Sequence, residues 1–241
     1  MNNFIGITER GDAALDDSWV DWVYKKKLPA ILITKNAPLL QSKHPDILSQ
    51  NIILHVTCTG LGNTEIEPNV PDPIDIITWI TGVNEIYRKK LVLRIDPIFF
   101  GNIWNKYGGA RIMSLFDIAD QLKIRCRISF LDLYPHVRKR LEDAGIHFFY
   151  NEMHAPLESR LTLLDRLKAL HPFLNIEVCG EPGMPCTGCV SEKDLEILGV
   201  EKIPNLSEGG QRPGCKCLAI KRELLTNKKQ CPHGCLYCYW R

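Results

Sequence analysis

The stretch Cys231-Pro232-His233-Gly234-Cys235-Leu236-Tyr237-Cys238 spaces three thiols as C-x3-C-x2-C. Three cysteines this close in sequence can turn their sulfurs toward one point. A structural zinc takes four protein ligands and closes its shell. Three thiolates leave one coordination position open. On a cubane [4Fe–4S] cluster they hold three irons and leave the fourth free to bind a small molecule. Five more cysteines come shortly before (Cys179, Cys186, Cys189, Cys215 and Cys217), so eight of the ten fall after residue 178. Buried structural cysteines scatter with the core, and a cluster like this one reads as metal binding. Four thiolates from the five suffice for a second, closed centre. By spacing alone, C-x2-C with C-x-C serves a zinc site and a [4Fe–4S] cluster equally well.

Such a tail needs a scaffold. The 241 residues are 45% hydrophobic and 24% charged, enough for one large α/β domain with a sizeable core. A net charge of +2 gives no electrostatic pointer to nucleic acid. No apolar run is long enough to span a bilayer, and the N-terminus lacks a signal-peptide pattern, so the expectation is a cytoplasmic protein with no membrane partner. Reduced thiols in that compartment also argue against a disulfide framework. Apolar runs predict strands over 4–8, 30–34, 52–57, 91–95, 124–131, 146–150 and 174–178. Amphipathic periodicity predicts helices over 15–26, after Pro38, and over 75–88, 110–122, 135–144 and 156–170. Alternation of this kind implies parallel strands with crossover helices. It closes most readily into a TIM-like (β/α) barrel, complete or partial, with a doubly wound open sheet as the alternative. No G-x-G-x-x-G follows the first strand, which weakens a dinucleotide-binding reading. The expected division is a barrel over 1–178 and a Cys-rich segment over 179–241 packed on it. In that segment only 191–198 reads as a helix, with Ser191 and Asp194 spaced as a cap pair.

In a parallel barrel, chemistry sits at the C-terminal ends of the strands. Those ends carry Glu9, Arg10, Asp12, Lys35, Asn36, Thr57, Cys58, Thr59, Arg94, Asp96, Asp132, Tyr134, Glu152, His154 and Glu181. Any one of them can be polar simply because strand ends meet solvent. Cys58 and Cys126 lie in predicted strands and read first as core residues. The run His136 to Arg140 reads first as a solvated helix face. With Arg125 and Arg127 it is also the best nucleic-acid candidate in the chain.

C-x3-C-x2-C with an aromatic before the last cysteine resembles the motif of radical S-adenosylmethionine (SAM) proteins. The rest of the chain resembles the DUF1848 family, radical SAM-like proteins with this motif near the C-terminus. The resemblance runs through Thr34-Lys35-Asn36-Ala37-Pro38, Thr57-Cys58-Thr59-Gly60, Glu67-Pro68-Asn69-Val70-Pro71, Arg94-Ile95-Asp96-Pro97-Ile98, Ser129-Phe130-Leu131-Asp132-Leu133-Tyr134 and Gln211-Arg212-Pro213-Gly214-Cys215-Lys216-Cys217. In the first strand only Arg10 and Asp12 match the family cleanly.

The resemblance implies a barrel circularly permuted relative to usual radical SAM barrels, with the N-terminal strand beside the cluster loop. It implies a [4Fe–4S] cluster on Cys231, Cys235 and Cys238 whose open iron binds SAM. Glu9, Arg10, Asp12, Lys35, Arg94 and Asp96 are then the candidates for binding that cofactor, and Cys58 and Tyr134 the candidate hydrogen-atom donors. Cys179, Cys189, Cys215 and Cys217 correspond to the family's other cysteines, with Cys186 outside that pattern. They imply a second [4Fe–4S] cluster, with zinc as the alternative metal. The expected partners are SAM, an electron donor such as flavodoxin or ferredoxin, and a substrate of nucleobase or modified-nucleotide type. The competing reading is a non-enzymatic zinc-binding structural or interaction protein with two four-cysteine sites.

Overall fold

A computed structural model describes residues 4–107, 109–201, 207–209, 214–227 and 231–240. Seven strands form one parallel sheet: β1 (Ile5–Ile7), β2 (Ala30–Thr34), β3 (Ile52–Thr57), β4 (Leu91–Ile98), β5 (Arg125–Phe130), β6 (Ile176–Val178) and β7 (Lys221–Glu223), in the order β6-β5-β4-β3-β2-β1-β7. From β1 to β6 each strand pairs with the next in sequence, and the order never reverses. The connections carry helices α1 (Ala37–Lys43), α2 (Pro73–Gly82), α3 (Glu85–Arg88), α4 (Ile103–Tyr107), α5 (Gly109–Gln121), α6 (Pro135–Asp143) and α7 (Leu157–Leu170). Helix α8 (Glu192–Leu198) lies in the tail.

The period-2 alternation of side chains along a strand sorts the core into two faces. On the outer face Leu32, Leu54, Leu93, Cys126 and Ile128 pack against Leu40 of α1, Ile76 and Ile80 of α2, Phe116 of α5 and Leu164 of α7. On the inner face Ile7, Ile31, Ile33, Ile53 and Val92 pack against Cys179, Cys189, Leu195 and Leu198 of α8, and Cys217. The tail therefore covers the inner face of the sheet. A third cluster lies past the strand ends and joins Leu61, Ile66, Phe99, Leu131 and Ile146 to Cys235 and Tyr237.

The structure splits the helix expected over 75–88 into α2 and α3, adds α4, and departs further from the sequence reading in three places. Residues 146–150 are not a strand. Ile146 and Tyr150 feed the third cluster, and the His147 backbone bonds Asn102 on both its N–H and C=O. The free edge of β5 is taken by β6 instead. A strand missed in the sequence, β7, pairs with β1; its three residues are charged and carry no apolar alternation. The predicted helix over 15–26 is a 3₁₀ turn (Asp17–Trp19) followed by a π turn (Asp21–Lys25). It still buries Trp19, Trp22 and Val23, and both indoles donate to backbone carbonyls, of Ala13 and Pro29. The cap of α8 is as expected: Ser191 and Asp194 form a reciprocal capping box. No helix among the described residues is long and apolar enough to cross a membrane.

Candidate functional site

The three-cysteine loop lies across the C-terminal ends of β1 to β3. Gly234 sits at φ +72°, a conformation that favours glycine, and lets the chain turn between His233 and Cys235. The segment after β3 cradles the loop: Leu236 N–H donates to Ile66 O (2.9 Å), Asn69 N–H to His233 O (3.2 Å) and Asn69 Nδ2 to Pro232 O (2.8 Å). From the other side, Arg140 of α6 donates to Cys238 O.

Two buried carboxylates fasten this loop to the sheet. Asp12 accepts from Ala14 N–H (2.8 Å) and Thr34 Oγ1 (2.6 Å) on one oxygen. Its other oxygen takes Lys35 N–H (2.7 Å) and His233 Nε2 (2.7 Å). His233 also faces the Asn69 carbonyl through Nδ1 (2.9 Å). Burial alone would raise the Asp12 pKa. The bonds from His233, Lys35 and Thr34 outweigh it and hold the carboxyl below its ordinary value.

Glu67 is the second anchor. One oxygen takes Thr59 Oγ1 (2.7 Å), and the other takes Lys35 Nζ (2.8 Å) and the Tyr237 hydroxyl. Lys35 Nζ also donates to Tyr237 Oη (2.7 Å). Against the opposing effect of burial, Lys35 holds the Glu67 pKa low, and Glu67 with Cys235 holds Lys35 protonated above its usual range. Burial pushes the Cys235 thiol up to about 12, with Lys35 pulling the other way. A centre that binds the thiolate must overcome this burial, with Lys35 as the local positive charge.

The other cysteines gather on the inner face. Cys179 Sγ and Cys189 Sγ are 3.3 Å apart, Cys189 N–H donates to Cys217 Sγ (3.1 Å), and Cys215 bonds Cys217. Cys186 is turned away. Its sulfur accepts from Glu181 N–H (3.1 Å) and donates to Glu181 O (3.2 Å), and it packs toward the outer-face core. No three His, Cys, Asp or Glu side chains among the described residues surround a single ion-sized point. The donor chemistry nonetheless fits a thiolate-held centre at both places. Cys179, Cys189, Cys215 and Cys217 make one set, and Cys231, Cys235 and Cys238 lie close enough for Cys231 to feel Cys238 and Cys235 to feel Cys231 electrostatically.

Beside the four-cysteine set, β4, β5 and β6 carry a buried charged network. Arg125 pairs with Asp194 (2.7 Å) and Glu177 (3.3 Å), Arg127 with Glu177, and Arg94 with Asp96, which also takes the Ser129 hydroxyl. Arg94 Nη1 reaches Cys189 Sγ at 3.9 Å. Arg125 and Arg127 are thus internal, which removes them from the nucleic-acid surface the sequence suggested. On α6, Arg138 pairs with Glu142 and Lys139 with Asp143, the solvated-face arrangement.

The remaining predicted site residues are scattered, some beside one of the two cysteine sets and some beside neither. Glu9 bonds Lys221 of β7 (2.9 Å), near Cys217 and Cys215 and away from the three-cysteine loop; burial raises its pKa against the pull of Lys221. Arg10 lies over the Trp240 ring (5.8 Å), and its buried Nε has no hydrogen-bond partner among the described residues. Tyr134 stands on the rim between His136 and Tyr239. Cys58 packs in the outer-face core, where burial pushes its thiol up to about 12. Asp132 pairs with His154 (2.9 Å) and Glu181 with Arg160 (2.9 Å).

Sequence reasoning passed over His233, which reads as a bare loop residue, and gave Glu67, Tyr237 and His55 no site role. For Glu67 the available signal was its place in the Glu67-Pro68-Asn69-Val70-Pro71 segment of the family resemblance. Gln211, Arg212 and Pro213 of the Gly214-Cys215-Lys216-Cys217 motif lie outside the described residues.

Comparison with curated proteins and with solved structures gave no match. The sequence does match the family described as a domain of unknown function, DUF1848, over residues 23–240. That span takes in β2 to β7, both cysteine sets and, of the loop's two carboxylate partners, Glu67 but not Asp12, and on this match the chain belongs to the DUF1848 family.

Proposed function

We propose that the protein is a radical SAM enzyme. In this reading Cys231, Cys235 and Cys238 hold a [4Fe–4S] cluster with an open iron, and the sheet is the wall of a partial, permuted (β/α) barrel. The observation that carries the proposal is the seating of the C-x3-C-x2-C loop, through Asp12–His233 and Glu67–Tyr237, on the C-terminal edge of a parallel sheet. That edge is where α/β enzymes place their chemistry. Sequential strand order with the crossover helices on one face is the way a barrel wall is built.

When bound and reduced, the cluster supplies the electron that cleaves SAM to a 5′-deoxyadenosyl radical for hydrogen abstraction. The protein supplies position and excludes water. Asp12 and His233 fix the turn between Cys231 and Cys235, and Lys35 puts a positive charge beside Cys235. Arg10, with its unpartnered Nε beside Trp240, is the residue available to receive the SAM carboxylate. The rim rings of Tyr134, Tyr239 and Trp240 favour a planar substrate such as a nucleobase or modified nucleotide. An electron donor of flavodoxin or ferredoxin type completes the system.

The test is anaerobic purification, iron and sulfide analysis, and detection of 5′-deoxyadenosine after reduction in the presence of SAM. Colourless protein with two zinc ions per chain and no SAM cleavage sinks the proposal and favours a structural zinc protein. Cluster-loaded protein that leaves SAM intact limits the family resemblance to metal binding.

A further inference from the structure

The sulfurs on the inner face of the sheet form a continuous row. Cys215 bonds Cys217 side chain to side chain, Cys217 bonds Cys189 in the same way, and Cys189 Sγ lies 3.3 Å from Cys179 Sγ. The Cys189 N–H donates to Cys217 Sγ (3.1 Å) and fixes the middle of the row. The two ends differ in exposure. Cys215 is half-buried between exposed Gly214 and Lys216, whereas Cys217, Cys189 and Cys179 are buried.

The donor type suits a metal, and the spacing at the buried end does not. A tetrahedral zinc with Zn–S bonds of about 2.3 Å holds its sulfurs about 3.8 Å apart. In a [4Fe–4S] cluster each cysteine takes its own iron, which sets the sulfurs farther apart still. Cys179 and Cys189 are nearer to each other than either centre allows, and no group of three His, Cys, Asp or Glu among the described residues could hold an ion there. Two thiols in such contact are instead placed to close a sulfur–sulfur bond. Cys179 directly follows β6, and Cys189 comes two residues before Ser191, the cap of α8. A bond between them ties the edge of the sheet to the segment that covers its inner face. Arg94 Nη1, 3.9 Å from Cys189 Sγ, offsets negative charge on the sulfur in the middle of the row.

We propose that these four cysteines are a thiol–disulfide relay, which takes a small disulfide of glutathione type at Cys215 and ends with a Cys179–Cys189 bond. Each sulfur attacks the neighbour it already touches. Cys215 attacks the external disulfide, forms a mixed disulfide and releases one external thiol. Cys217 then attacks the Cys215 sulfur and expels the second external thiol, leaving a Cys215–Cys217 bond. Cys189 attacks Cys217 and returns Cys215 to the thiol, and Cys179 attacks Cys189 and returns Cys217 to the thiol. In sum two protein thiols are oxidised and one external disulfide is reduced to two thiols, each leaving thiolate taking up the proton its attacker loses. The relay does not depend on the radical SAM reading, which concerns Cys231, Cys235 and Cys238.

The test uses the full chain, purified anaerobically with a thiol reductant and then freed of it. The protein is incubated with oxidised glutathione, quenched in acid and alkylated, and its disulfides are mapped by peptide mass spectrometry over time. The parent should form a Cys179–Cys189 link and release about two glutathione thiols for each link. Cys215→Ser should slow formation of that link about tenfold or more, because the other three thiols are buried. Cys179→Ser should stop at Cys189–Cys217. If Cys179→Ser fails to fold by circular dichroism, the time course of the parent tests the same order, since Cys215–Cys217 must precede Cys179–Cys189. A glutathione adduct that stays on Cys215 overturns the relay, as does a Cys179–Cys189 link that forms equally fast in Cys215→Ser. So do four inner-face thiols that stay reduced in the folded protein, whether bare or protected by a metal that co-purifies with them. SAM cleavage, measured separately, decides the other proposal, and neither result alters the other.

Discussion

Replacing Asp12 by Asn should release the three-cysteine loop, and the structure sets the size of the effect. Each Asp12 oxygen accepts one backbone N–H that cannot reverse, from Ala14 on Oδ1 and from Lys35 on Oδ2. Whichever way the carboxamide turns, its NH₂ group meets one of those N–H donors. Thr34 can rotate its hydroxyl to accept, but the backbone cannot adapt. The variant therefore loses the charge and, in one orientation, the bond from Ala14 N–H or, in the other, those from Lys35 N–H and His233, and leaves a buried donor facing another donor. Breaking a buried, hydrogen-bonded charge in this way costs about 3–5 kcal/mol. For a chain of this length that is a drop in thermal midpoint of roughly 6–20 °C. His233→Ala removes one of the four bonds and should cost about 1.5–3 kcal/mol. Because the two side chains act as one tether, the double variant should be less destabilised than the sum, by about 1–3 kcal/mol. Urea titration of the metal-free protein, followed by far-UV circular dichroism, measures all three. Asp12→Asn within about 1 kcal/mol of the parent, or strict additivity with His233→Ala, refutes the tether.

Both anchoring carboxyls have pKa values held below the unfolded values of about 3.9 for Asp and 4.3 for Glu. Their contribution is thus present above those values and lost as pH falls through the lower folded-state ones. Parent protein should lose thermal stability steeply below about pH 4, and Asp12→Asn or Glu67→Gln should flatten that slope; parallel curves count against the assignment. Tyr237→Phe should cost about 1 kcal/mol, since Glu67 keeps Lys35 and Thr59, and a loss several times larger would show that the phenol does more than brace Glu67. Glu177→Gln leaves Arg125 and Arg127 short of their shared partner and should cost about 3–5 kcal/mol in urea unfolding; a neutral result would mean that water enters the network. With its thiol pushed up to about 12, Cys58 should resist iodoacetamide at pH 8 until the chain unfolds, and rapid labelling of the native protein would put Cys58 outside the core.

The sequence determined the repeating unit. The apolar runs over 30–34 and 52–57 became β2 and β3 without a shift, and the helical periodicity over 156–170 became α7, because burying a full strand or one helix face leaves a pattern in consecutive residues. It also singled out the tail cysteines, since eight of ten thiols after residue 178 is an uneven spread for core residues. It misread residues 146–150, whose alternation of Ile146 and Tyr150 is real but serves a loop cluster; local pattern records burial and leaves the partner unspecified. The resemblance set Cys186 apart from the other four, and only the tertiary structure shows where each sulfur goes. Cys186 and Cys189 are three residues apart, yet one sulfur is held by the Glu181 backbone and the other joins Cys179 and Cys217. It alone brought Asp12 to His233 across 221 positions. It also turned Arg125 and Arg127 from an apparent basic patch into buried partners of Glu177 and Asp194, carboxylates fifty or more residues away along the chain. Contacts of that span depend on strand order and on the tail folding back over the inner face, and no window of neighbouring residues encodes either.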